Sequence, residues 1–157
     1  MGPVPTFSRR LKRELLNMQK ELPAGIHIAT ADDLSTWEMD LEVLDQNPIY
    51  HGKTFRLRFK FGKNYPIEPP EVMFVRTADR EIPMHPHVYS NGIICLDLLS
   101  TGHGWSPVQN VESVCVSIQS MLTGNTKNER PEGDSQFVMT PMRSVRDINF
   151  VYDDPTV

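Results

Sequence analysis

A thiol and a carboxylate two positions apart, Cys95 and Asp97, close a stretch that opens on two histidines, His85 and His87, either side of Pro86. From His85 to Asp97 the chain carries turn residues such as Asn91-Gly92 and shows neither helical nor strand period. A loop of that length between periodic segments is a functional loop or a disordered one. Its ordered turn residues favour function. A thiol displayed on a rigid loop suits nucleophilic attack on a carbonyl, with an acyl group then carried on sulfur. Two other accounts compete. Free cysteine packs as a small hydrophobe, and Ile93, Ile94 and Leu96 around Cys95 suit an inert core thiol. His85, His87, Cys95 and His103 are zinc-type ligands, yet their spacing fits no known zinc pattern and Pro86 does not set both histidines on one face. Neither metal nor cofactor is expected.

The rest of the chain bounds what such a thiol can serve. A length of 157 residues makes one domain with a single core. A formal net charge of −4 argues against a general nucleic-acid binder, which needs a strongly basic face. No apolar run reaches the ~18 residues of a membrane span. The N-terminus lacks a secretory pattern, and Gly2 with Thr6 makes only a weak acylation match. Two cysteines form no disulfide framework. Free thiols suit a reducing compartment, cytoplasm or nucleus. Cys115 stands among Val111, Val114, Ile118 and Leu122 and is read as core.

The elements that must position the thiol follow from periodicity. Phe7, Leu11, Leu15, Met18 and Leu22 form the stripe of an amphipathic helix ended by Pro23 and Gly25. Its other face carries Arg9, Arg10, Lys12, Arg13 and Lys20, a solvated face or a docking surface. Trp37, Met39, Leu41 and Val43 alternate with acids, and Phe55, Leu57, Phe59 and Phe61 with bases. That is the period of half-buried antiparallel strands, and the opposite outward charges predict that the two are neighbours. Val72 and Phe74 mark another strand after the Tyr65-Pro66-Ile67-Glu68-Pro69-Pro70 corner, and Ile26–Ala29 a further one. Beyond the thiol loop, Trp105-Ser106-Pro107 leads to Asn110 as N-cap of a helix that stops at Gly124. From Asn125 the chain is polar, with a weak helical signal at Val145, Ile148 and Tyr152. Helix, antiparallel strands, long loop, helix and irregular tail make an α+β domain.

This order and its punctuation resemble the ubiquitin-conjugating enzyme family. Four motifs carry the resemblance: Tyr65-Pro66-x-x-Pro69-Pro70, His85-Pro86 ten residues before Cys95, Asn91-Gly92-x-Ile94-Cys95-Leu96-Asp97, and Trp105-Ser106-Pro107 before a helix. The resemblance implies the family fold: an N-terminal helix, a four-stranded antiparallel meander, a long active-site loop and C-terminal helices. It divides the chain into a flexible 1–6, a core of 7–130 and a divergent segment 131–157, expected to be partly disordered. It implies that Cys95 accepts the C-terminal carboxyl of ubiquitin from the activating enzyme as a thioester and passes it to an amine.

One departure stands out. Most members have His-Pro-Asn, and this chain has His87 in place of the asparagine assigned to the oxyanion. His-Pro-His and Val88-Tyr89-Ser90-Asn91-Gly92 resemble the W-type members, associated with attachment to the α-amino group of substrate N-termini. Val114-Cys115-Val116-Ser117-Ile118 also looks like those members. The segment between Phe74 and His85 is longer than in most members.

By the same resemblance, His85 braces the loop, and His87 donates to the oxyanion, takes a proton or is purely structural. Asn91 can supply the missing amide, although its place before Gly92 points to backbone capping. Tyr89 is a wall of the site. Asp97 occupies one acidic position at the mouth and Glu129 is the nearest match to the other. Arg9, Arg10, Lys12 and Arg13 would meet the activating enzyme and contribute to ligase binding. Ile67 with Ser106, Pro107 and Val108 would grip a RING or U-box ligase. Ile67, where many members have phenylalanine, implies altered ligase choice. Substrates with flexible N-termini complete the partners, and the tail from Pro131 is expected to help select them. A thiol-bearing but inactive ubiquitin-binding variant, or a conjugating enzyme for another ubiquitin-like modifier, are the alternatives.

Overall fold

The computed structural model describes residues 6–44 and 46–139. Helix α1, Thr6–Lys20, precedes strands β1 (Ile26–Asp33), β2 (Thr36–Glu42), β3 (Thr54–Lys60) and β4 (Glu71–Val75). A single 3-10 turn, Asp97–Leu99, follows, and then α2 (Val111–Thr123) and the short α3 (Asp134–Met139). The strands form one antiparallel sheet in the order β1-β2-β3-β4, a meander. The α+β expectation holds, element for element, up to α2.

Register follows charge. Glu38 stands opposite Arg58 and Asp40 opposite Arg56. Arg56 grips Asp40 with two bonds of 3.0 and 3.1 Å, and Arg80 reaches the same carboxylate at 3.4 Å. The other face of the same strands, Trp37, Met39, Leu41, Leu57 and Phe59, is fully buried beneath Val111, Val114, Cys115, Ile118 and Leu122 of α2. A slip of one residue would exchange these faces, so burial and charge fix the same register.

Four details depart from the periodicity. Helix α1 stops at Lys20, two residues short of Leu22, because Pro23 disfavours helical backbone before it. β1 runs to Asp33, well past Ala29, through irregularities between Ile28 and Thr30 and between Thr30 and Asp33. Those breaks erase the alternation that marks a strand. The 3-10 turn and α3 lie where no period was visible. The weak helical signal at Val145, Ile148 and Tyr152 falls outside the described residues.

Helix α2 begins as its cap predicts: the Asn110 side chain accepts from the Ser113 N–H at 2.7 Å and Ser113 Oγ accepts from the Asn110 N–H at 2.8 Å. At its far end Gly124 keeps right-handed helical backbone, φ −80°. The exposed carbonyls there are met by the Asn47 amide, which donates to Leu122, Thr123 and Asn125. Asn47 thereby ties the β2–β3 turn to the end of α2.

Candidate active site

The thiol loop is welded to the sheet edge. The Phe74 N–H of β4 donates to the Gly92 carbonyl at 2.9 Å, and Met73 bridges Ile93. This approach requires glycine: Gly92 has φ +95°, and a Cβ there would lie 1.9 Å from the Phe74 carbonyl oxygen. Within the loop, Tyr89 N–H donates to Ile93 O, and Val88 N–H to His85 O. The Cys95 N–H donates to the His87 carbonyl at 2.8 Å, so the thiol and the His-Pro-His turn are held together by backbone. Asn91 Oδ1 accepts from the Ile93 N–H at 3.2 Å, a capped turn that commits its carbonyl oxygen to the backbone.

Both ring nitrogens of His85 are spent. Nδ1 accepts from the His87 N–H at 2.8 Å, which leaves the proton on Nε2 to donate to the Met121 carbonyl at 3.3 Å. His85 is fully buried, and burial, with the neighbouring His87 second, lowers its pKa to about 4. It is therefore a neutral brace between the loop and α2. His87 is half-buried, its ring centroid 5.8 Å from that of His85. Its backbone joins His85 to Cys95, and its imidazole is the group that differs from an amide at that position.

Cys95 is only 9% exposed, and burial, reinforced by Asp97, pushes its pKa up to about 11. Asp97 opens the 3-10 turn and is exposed. The sign is simple. A thiol with a raised pKa stays protonated at neutral pH, and its thiolate fraction grows about tenfold per pH unit until pH nears the pKa. Alkylation of the native protein by iodoacetamide should climb by about that factor per unit from pH 7 to 10. A plateau at pH 8 to 9 would contradict it. Cys115, fully buried beneath the sheet with its pKa also raised by burial, should stay silent in the same experiment.

Residues that periodicity did not single out complete the site. Arg130 sends its guanidinium back to the carbonyls of Ile82 and Val88, each at 3.1 Å, and to that of Pro83. Tyr50 donates to the Met84 carbonyl at 2.6 Å and accepts from the Asn125 amide at 2.7 Å. From α3, Asp134 accepts from the Ser90 N–H at 2.8 Å, and Phe137 stacks on Tyr89 with centroids 3.7 Å apart. Burial, then Cys95 and Asp134, raise the Tyr89 pKa. Glu129 is exposed and takes no part in these bonds. The four histidine and cysteine positions His85, His87, Cys95 and His103 do not assemble a metal site; among the described residues no three His, Cys, Asp or Glu side chains do.

The expected partner residues divide. Arg9, Lys12 and Arg13 are exposed. Arg10 is turned inward: it pairs with Glu14 at 2.9 Å and donates to the carbonyls of Pro107 and Gln109 at 2.9 and 2.8 Å. Glu14, only 6% exposed, also accepts from the Tyr65 hydroxyl at 2.6 Å and the Val111 N–H at 2.8 Å. One carboxylate thus joins α1, the proline corner and the start of α2. Trp105 Nε1 donates to the Pro66 carbonyl at 2.9 Å, which sets the corner beside the 105–108 loop. Ile67 and Val108, 71% and 83% exposed, project from these two adjoining loops as a bare apolar pair. Ser106 is half-buried and Pro107 is exposed.

Comparison with known proteins agrees with this arrangement. A family model described as ubiquitin-conjugating enzyme matches residues 10–140. The probable ubiquitin-conjugating enzyme E2 W of Dictyostelium discoideum is 40% identical over 152 residues, 96% of this chain and 97% of its own length. The ubiquitin-conjugating enzyme E2 W of Caenorhabditis elegans is 39% identical over 96% of this chain and 97% of its own. Among solved structures, the ubiquitin conjugating enzyme E2 UbcA1 from Agrocybe aegerita matches with a TM-score of 0.85 and 41% identity, over 91% of this chain and 100% of that one.

Proposed function

The chain belongs to the ubiquitin-conjugating enzyme family, and from that premise we propose that Cys95 carries ubiquitin as a thioester and delivers it to the α-amino group of substrate N-termini. The activating enzyme supplies the ubiquitin. The Cys95 thiolate attacks the activated carboxyl and displaces the donor's thiol, and the acceptor amine later attacks the thioester and expels the Cys95 thiolate. Arg9, Lys12 and Arg13 form the face offered to the activating enzyme. Ile67, Pro107 and Val108 form the face offered to RING or U-box ligases. The two free thiols, Cys95 and Cys115, suit a cytoplasmic or nuclear setting.

The observation that carries the choice of amine is the bond between Cys95 N–H and His87 O, which sets residue 87 next to the thiol-bearing residue, with an imidazole where most family members carry an amide. A lysine with pKa near 10.4 is neutral in about 0.1% of molecules at pH 7.4, whereas an α-amine near 7.7–8.0 is neutral in roughly a quarter. A lysine-directed site must therefore help to deprotonate its acceptor, and acids at the mouth do so. Here Glu129 faces solvent and its neighbour Arg130 is bound to the loop carbonyls. Asp97 is an exposed acid near the thiol, and it acts on Cys95. An α-amine needs less of this help, and His87 can donate to the oxyanion or accept the departing proton. The E2 W relatives are named as ubiquitin-conjugating enzymes, which supports ubiquitin as the group transferred.

Charging with ubiquitin, activating enzyme and ATP, followed by discharge onto free lysine or onto a lysine-free peptide with a free N-terminus, tests this directly. Discharge should favour the peptide by about tenfold or more, and His87→Ala should slow that step while charging continues. Equal discharge onto lysine would overturn the specificity. No adduct with ubiquitin would point instead to another modifier or to an inactive variant.

A further inference from the structure

The carbonyls around His85 and His87 are held by side chains remote in sequence, Tyr50 and Arg130. Three consecutive carbonyls before the histidines, Ile82, Pro83 and Met84, and one after them, Val88, all take their bonds from side chains in two places. Arg130 serves three and Tyr50 the fourth, with Asn125 donating to the Tyr50 hydroxyl in turn. Ile82 and Val88 are buried, so water is a poor substitute for these donors. A guanidinium suits the task because its planar fork points several N–H groups at once, two on one nitrogen here and a third on its neighbour. An ammonium is a single point and cannot span the same carbonyls.

We propose that Arg130 is a positioning residue: it clamps both ends of the His85-Pro86-His87 turn and thereby sets where the His87 backbone holds Cys95. The proposal rests on the transfer reaction assigned above. The force path is short. Arg130 fixes the carbonyl of Val88, Val88 N–H is bonded to His85 O, and the His87 carbonyl between them receives the Cys95 N–H. Four residues further along the same segment, Asp134 takes the Ser90 N–H, so the tail holds the loop on both sides of Tyr89.

Hydrogen exchange by NMR on the full chain, paired with single-turnover discharge, tests the clamp. In Arg130→Gln the amides of His87, Val88 and Cys95 should exchange at least about tenfold faster, while those of Val114 and Ile118 in α2 keep their native rates. Discharge onto a free N-terminus should fall by about tenfold, and Arg130→Lys should lie between the two. A rise shared equally by the α2 amides would mean general stabilisation and overturn the proposal. So would loop amides that keep native rates, or looser amides with discharge unchanged. If the native chain fails to charge with ubiquitin, the functional reading fails, and the exchange pattern alone still decides whether Arg130 clamps the loop.

Discussion

Replacing Cys95 with alanine is expected to end charging, a loss on the order of 10³-fold or more, as when any covalent nucleophile is removed. Serine in its place should accept ubiquitin only slowly and hold it as an oxygen ester. That adduct would survive reducing agents, unlike the thioester, and this difference tells sulfur chemistry from mere binding. Cys115→Ser is the internal control, because that residue is sealed under the sheet and touches no reacting group. A reducible adduct that persists in Cys95→Ala would remove the thiol from the mechanism. The thiol's pKa of about 11 does not weaken the expectation. A basic thiolate is scarce but intrinsically more nucleophilic, and it is also the poorer leaving group, which favours holding the acyl chain until a suitable amine arrives.

Gly92→Ala should be the most damaging single methyl group in the loop. Its backbone has φ +95°, and the added carbon would sit 1.9 Å from the Phe74 carbonyl oxygen of a buried strand. The conflict is with backbone, so no side-chain rotamer relieves it. Either β4 or the loop must move, and the bond from Phe74 N–H to Gly92 O is lost with the movement. Strain at the left-handed position and a broken buried bond together suggest about 3–5 kcal/mol. For a chain of this size that lowers the melting temperature by roughly 10 °C or more. Differential scanning calorimetry of the variant should show this, with charging impaired even at temperatures where the chain stays folded. Melting within about 2 °C of the native protein would mean that the loop is not fastened where these contacts put it.

What could be read from residues alone was whatever repeats at short range. The alternation of Trp37, Met39 and Leu41 with Glu38 and Asp40 located β2, and its mirror in β3 located the partner. Asn110 marked the start of α2 because a cap is a local bond. Cys95, Asn91 and Gly92 were visible because a turn is local too. The outer half of β1 escaped because its irregularities break the two-residue period. Helix α3 is six residues long, too short to show a stripe. Arg130 had no local signature: a cation in a polar stretch looks solvated until the chain folds back and sets it against carbonyls more than forty residues away. Glu14 did carry a signal, a carboxylate three residues after Leu11 on the apolar face of α1, where its cost is met by Arg10, Tyr65 and Val111.

The sheet has two margins, and they are treated differently. At β4 the hydrogen-bonding row is occupied, in part, by Gly92 and Ile93 of the thiol loop. At β1 no described strand pairs with the outer row, and an unpaired row is a template on which another chain's strand can add its own backbone. The two irregularities in β1 and the acids Asp32 and Asp33 near its end spoil that template by breaking its spacing and charging its tip. The first strand therefore offers an approaching extended chain no straight row to pair with, which disfavours edge-to-edge association there.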